Sequence, residues 1–134
     1  MSRRSQERRD AAFVLYESEI SGRPVGEVLD DSDRGQLTRA LVEAVETNRT
    51  ELEGLVADNA IGWQLDRIAA LERSIMLVAL AQIAHPEAIP ADSPIPPAGA
   101  IDEAVEVAKE YCGSEAPGFV NGVLDAAAAQ IRQD

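Results

Sequence analysis

The sequence predicts an all-α protein, and three observations carry that expectation. Apolar residues recur at spacings of three and four along most of the chain, the period of a helix rather than of a strand. The composition is 46% hydrophobic but only 4% aromatic, so a core must be built from Leu, Val, Ile and Ala, and a chain rich in Ala and Glu favours helix. Gly22, Pro24, Asn48, Gly62, Pro86 and Gly113 divide the periodic stretches into helix-length pieces.

In order along the chain, Ser2 can cap a first helix that continues to about Ser21, with Gly22 as its stop. Ala12, Leu15, Tyr16 and Ile20 form its expected inner stripe. Arg4 and Arg8 are four apart and share a face, with Arg9 beside them. Three guanidinium groups so placed can grip successive phosphates. Pro24 pre-sets a short helical turn through Val28 and Leu29. After the polar run Asp30–Asp33, Ser32 or Asp33 can cap a helix carrying Leu37, Ala40, Leu41, Ala44 and Val45. Asn48 interrupts it, and Leu52, Leu55 and Val56 continue to near Asn59.

Trp63 is the only tryptophan. With Leu65, Ile68 and Leu71 around it, it reads as a core residue or a plug between subdomains, and Asp66 and Arg67 as a salt bridge joining helix ends. The next helix holds Leu71, Ile75, Met76, Leu77, Val78, Ala79, Leu80 and Ile83. It is apolar on most of its circumference, so it is either the most buried helix or partly a partner surface. His85-Pro86 marks its end, and the lone His reads as a C-terminal cap. Five prolines between residues 86 and 97 predict an extended surface loop. Helix resumes at Pro97 or Ala98, with Ile101, Ala104, Val105, Ala108 and Tyr111 inside and Gly113 as the residue after its C-cap. Pro117 suits the first turn of a last helix, whose inner face is Phe119, Val120, Val123, Leu124, Ala127 and Ile131. Asn121 and Gly122 interrupt that logic. A helical glycine costs about 1 kcal/mol relative to alanine, so Gly122 marks the close approach of either a neighbouring helix or a ligand.

At 134 residues the expectation is one domain able to bury a core without disulfides. One Cys and one His cannot close a zinc site. No apolar run approaches the roughly 20 residues that cross a bilayer, and no apolar run follows the basic start as in a secretory signal, so a cytoplasmic protein with no membrane partner is expected. No phosphate-cradling, dinucleotide-binding or nucleophile-elbow motif is present, and no carboxylate pair has an apolar setting suited to acid–base work. The expectation is therefore no enzyme: no catalytic residues, no metal and no cofactor. The net charge of −12 argues against a nucleic-acid binder, but its distribution reverses the argument. Residues 1–9 carry +3 and the remainder −15, so a cationic end sits on an acidic body, an asymmetry that can confine a polyanion to one edge.

Four stretches together resemble the NusB family of bacterial transcription antitermination factors. They are Arg3, Arg4, Arg8 and Arg9 before Leu15-Tyr16; Trp63-Gln64-Leu65-Asp66-Arg67-Ile68 with Glu72-Arg73; Ala100-Ile101-Asp102-Glu103-Ala104-Val105; and Phe119-Val120-Asn121-Gly122-Val123-Leu124-Asp125. The likeness is colinear and covers nearly the whole chain. It implies a helical bundle of about seven helices in two small subdomains, about 1–60 and 61–134. It implies binding of boxA-type single-stranded RNA from the rRNA leader, pairing with NusE, a small-subunit ribosomal protein, and entry into an RNA polymerase complex with other Nus factors. By the same resemblance Arg3, Arg4, Arg8, Arg9, Tyr16, Glu115, Phe119 and Asn121 are the RNA-binding candidates, residue types that read single strands by charge, stacking and amide bonds. Glu72 is the matching partner-binding position, with apolar surface nearby at Leu77 and Ala81.

The chain departs from the family pattern where Leu77 replaces an arginine, Ala81-Gln82 an aromatic-acid pair, Asp102 an asparagine and Gly118 a lysine. Those losses imply weaker RNA binding or more reliance on the partner. The alternative reading is a NusB-like interaction module with weak or no RNA binding, self-associating as a homodimer through Leu77, Leu80 and Ala81.

Overall fold

Ser2 and Gly22 bound the first helix as their chemistry requires. In the computed structural model, which describes residues 1–133, α1 runs Arg3–Ser21. The Ser2 hydroxyl accepts from the Ser5 amide at 3.1 Å, and Gly22 turns left-handed at φ 75° to close the helix on the Ser18 carbonyl. The short α2, Val25–Asp30, follows Pro24. Then come α3, Gln36–Thr47, and α4, Arg49–Asn59, separated at Asn48, whose amide donates to the Ala44 carbonyl at 2.9 Å. A 3₁₀ turn at Leu65–Arg67 leads into α5, Ala70–Ala84. A second, Pro86–Ala88, opens the proline-rich segment before α6, Pro97–Tyr111, and α7, Ala116–Gln133. No strand occurs among the described residues. The expected C-terminal boundary at Asp134 lies outside them.

The all-round apolar character of α5 has the consequence expected of it. It packs against α1, α3, α4, α6 and α7, and nine consecutive residues from Ser74 to Gln82 are buried. This excludes one expectation for the same helix. Leu77 is 1% exposed, and Leu80 and Ala81 are fully buried, so the stripe read as a partner or dimer face lies in the core, where a second chain cannot reach it. One apolar cluster draws on all seven helices.

Other expectations are corrected in detail. The inner face of α1 is Arg8, Ala11, Ala12, Val14 and Leu15, while Tyr16 and Ile20 are exposed. The N-cap of α3 is Gly35, with no side-chain bond of its own. The cap arrives from α1, where Glu7 Oε1 accepts from the Leu37 amide at 3.2 Å. In place of Ser32 or Asp33, a residue about 30 positions upstream does the capping. At the end of α6 the C-cap is Cys112, so Gly113 is the residue after it as expected, but it does not adopt positive φ. Asp66 and Arg67 do not pair with each other among the described residues. Trp63 is no plug: it is 55% exposed. A Cβ placed on Gly122 meets nothing within 4 Å, so no neighbouring helix explains that glycine. The proline-rich segment is not wholly superficial, since Ser93 is buried.

Candidate nucleic-acid interface

The start of α1 presents its arginines unequally. Arg3 and Arg4 are exposed and have no salt-bridge partner among the described residues. Arg8 is 7% exposed and is held internally. Its Nε donates to Gln82 Oε1 of α5 at 2.9 Å, its Nη1 to both Glu103 oxygens of α6 at 3.0 and 3.2 Å, and its Nη2 to the Ser93 carbonyl at 3.3 Å. The Ser5 hydroxyl donates to the same Glu103 carboxylate at 2.9 Å. A guanidinium spent on so many internal acceptors is not offered to a phosphate, so the expected trio on one helical face is divided.

Arg9, one residue on, turns outward to an aromatic group. It pairs with Asp10 at 3.1 Å, and its guanidinium lies 5.8 Å from the centroid of Phe13. Burial works against its charge, but Asp10 and Tyr111 more than restore it, and the pKa is raised. Phe13 meets Tyr111 edge-on, with centroids 4.9 Å apart and planes at 89°. Tyr111 was expected inside α6, yet it is 41% exposed. This aromatic pair joins the cationic half of α1 to the end of α6, just before the turn bearing Glu115. Spacing alone could have nominated Phe13, four residues after Arg9 on the same face. Tyr111 gives no such signal, because its partners lie about a hundred residues away. Beside this cluster α1 and α6 part over α5 and leave a cleft of about 380 Å³, floored by Ile75, Val78 and Ala79 and edged by Arg9, Glu106 and Glu110.

The remaining candidates lie further along the chain. Tyr16 is exposed one turn beyond Phe13, and Glu115 is exposed in the α6–α7 turn. Phe119 is half-buried and meets Trp63 edge-on at 5.8 Å. Asn121 is exposed, with its amide 3.5 Å from Asp125 Oδ2. Gly118 and Gly122 are exposed beside them, so this part of α7 is bare backbone flanked by one amide and one ring. Glu72, at the start of α5, is half-buried and has no hydrogen bond or ion pair among the described residues. Burial raises its pKa. The Cys112 thiol is raised by burial and then by the Glu72 charge, which sets Glu72 beside the α6–α7 turn. The structure therefore leaves Arg3, Arg4, Arg9, Tyr16, Glu115, Phe119, Asn121 and Glu72 reachable at the surface, and withdraws Arg8, Leu77 and Ala81 into the interior.

No helix among the described residues is long and apolar enough to cross a membrane. Comparison with known proteins then gives the site its context. The chain is 36% identical over 136 aligned positions to a transcription antitermination protein NusB of Rubrobacter xylanophilus, covering 98% of this chain and 93% of that protein. Its fold superimposes on T. maritima NusB with a TM-score of 0.83 at 22% identity, covering 97% of this chain and 93% of the other. It also superimposes on the NusB of a crystal structure of antitermination factors NusB and NusE in complex with dsRNA, with a TM-score of 0.76 at 23% identity, covering 97% and 99%. A second relative, of Saccharopolyspora erythraea and 34% identical over 131 positions, carries the same name, transcription antitermination protein NusB. The sequence profile described as the NusB family matches residues 5–129, and with it the all-α architecture, the arginine-led first helix and the F-V-N-G-V-L-D stretch of α7 take their place: the chain belongs to the NusB family.

Proposed function

We propose that this chain is a transcription antitermination factor. In this reading it binds single-stranded boxA-type RNA of the rRNA leader together with NusE and joins RNA polymerase with other Nus factors, in the cytoplasm where that RNA is made. The observation that carries it is the free cationic start of α1 continuing into the Arg9–Phe13–Tyr111 cluster. Charge holds the strand, and the exposed rings of Tyr111 and Tyr16 stack its bases, the combination suited to unpaired RNA. The name of the Rubrobacter relative supports antitermination. The fold neighbour with NusE and double-stranded RNA supports a joint protein and RNA surface; the single-stranded target is our reading. Residues 1–60 and 61–134 are read as its two subdomains.

Glu72 is assigned to the protein partner. A half-buried carboxylate with its pKa raised by burial alone lacks the cation that such a position wants. A Lys or Arg of NusE supplies it.

The alternative, an interaction module with weak RNA binding, draws on the internal use of Arg8 and on the charge of −12. Labelled boxA-type RNA titrated with and without NusE at two salt concentrations separates the two. Salt-sensitive binding that NusE tightens is expected; a folded sample that binds NusE but no RNA at either salt supports the module instead. Glu72→Gln is expected to weaken NusE binding about tenfold, as for loss of one interfacial charge pair, while leaving direct RNA binding unchanged. A variant that binds NusE normally removes Glu72 from the interface.

A further inference from the structure

Most arginines of this acidic protein are already matched to carboxylates. Arg8, Arg9, Arg23, Arg39, Arg49 and Arg73 all pair within the chain. Among the described residues Arg3, Arg4, Arg34, Arg67 and Arg132 do not, and the fold brings the first three to one end of the molecule. Glu7 is the link. Its Oε1 accepts from the Leu37 amide at 3.2 Å and lies only 1.8 Å from where a Cβ of Gly35 would stand, while its carbonyl accepts from the Thr38 hydroxyl at 2.9 Å. The start of α3 is thereby clamped onto α1 one turn beyond Arg3 and Arg4. Arg34, next to Gly35, is carried with it.

Arg34 also shows a local deficit. Its Nε is buried and has no hydrogen-bond partner, a rare condition for a charged donor. The side chain lines an open cleft of about 680 Å³ with Arg39, Glu43, Glu87 and Pro90. Most of the surrounding acids are engaged. Asp31 pairs with Arg23 at 2.7 Å, Asp30 with Arg39 at 3.5 Å, and Glu87 with His85 at 3.1 Å. Glu7 is held by the Leu37 amide. Asp33 and Glu43 have no such partner, and their charge restricts the site to a single anionic group rather than a long tract.

We propose that Arg34 is a backbone-phosphate contact that extends the RNA path from the start of α1 across the Glu7–Gly35 clamp onto the start of α3. The inference rests on the RNA-binding reading above and adds a residue to it. The fork of a guanidinium suits a phosphate oxygen, and such a contact positions the strand without reading its sequence.

The test compares the unmodified chain with Arg34→Gln, Arg34→Lys and the double variant Arg3→Gln/Arg4→Gln. Each is titrated with fluorescein-labelled boxA-type RNA and with a scrambled RNA of equal length, across a salt series. Arg34→Gln is expected to bind both RNAs roughly fivefold more weakly at low salt, with a log–log salt slope shallower by about 0.7, the increment for one phosphate on a single strand. Arg34→Lys recovers part of the loss and all of the slope. Unfolding in urea, followed in parallel, is expected to show the Arg34→Gln midpoint unchanged or higher, which separates a binding defect from a folding one. The proposal is overturned if Arg34→Gln keeps the parental affinity and slope while Arg3→Gln/Arg4→Gln loses both; the RNA-binding reading then survives without Arg34. It is overturned equally by a loss confined to the boxA-type sequence or by a loss with no change of slope. Salt-independent or absent RNA binding by the unmodified chain removes the RNA-binding reading and this inference with it.

Discussion

Arg8 and its neighbours look alike in sequence and do opposite work. Arg3 and Arg4 face solvent, whereas Arg8 ties α1 to α5, α6 and the proline-rich segment through Gln82, Glu103 and Ser93. Removing one member of a largely buried charged network leaves the others unmatched. Arg8→Ala is expected to lower stability by about 2–3 kcal/mol, less than for a fully buried pair because Glu103 is partly wetted. The matching change at Arg3 or Arg4 should stay within about 0.5 kcal/mol. Urea denaturation of the three variants checks this, and equal losses would mean that Arg8 is not the structural one. The sequence could not distinguish them. A helical face is visible at a spacing of four, but Arg8's acceptors lie 74 to 95 residues away. The same distance hid Tyr111, which period alone placed inside α6 and which Phe13 holds at the surface.

At the scale of the element, helix lengths and stops were largely legible. The helix signals at Ser2, Gly22, Pro24, Asn48 and Pro97 act where local chemistry says they should, because caps and breakers are local. The burial of α5 was legible too, since an all-apolar circumference leaves no face for water. The cap of α3 was not, because its acceptor comes from another helix. Glu7 occupies the space a side chain at position 35 would need, so Gly35→Ala pushes the flexible carboxylate off the Leu37 amide. The expected cost is about 1 kcal/mol, the value of a lost N-cap. Glu7→Ala should cost about the same, and the double variant little more than either, since both remove one interaction. Simple addition of the two losses in thermal or urea melts would show that Gly35 serves another purpose.

Across the whole molecule, one contact joins α4 to the far end of α5 and makes stability depend on pH. His85 Nε2 lies 2.6 Å from Glu51 Oε2, and Nδ1 lies 3.1 Å from Glu87 Oε1. Burial opposes the imidazolium, but the two carboxylates outweigh it and raise the His85 pKa. The folded-state pKa lies above the unfolded one, so this stabilisation is full below the ordinary histidine range and fades as pH rises through the raised value. Stability measured from pH 6 to pH 8.5 should fall more steeply for the parent chain than for His85→Gln; parallel curves would remove the link. The proposed RNA edge was nominated in the sequence only by residue type, through arginines, Tyr16, Phe119 and Asn121. Which of them face outward was settled only when distant helices met. The Ser2 cap, the Glu7 clamp and the Arg8 anchors also have a joint consequence. An arginine-rich tail left as free coil would have to surrender its conformational freedom on meeting RNA. Here that freedom is given up during folding, so under the proposed function a strand would meet a pre-ordered row of charges, and its affinity would not be diminished by the entropy of building one.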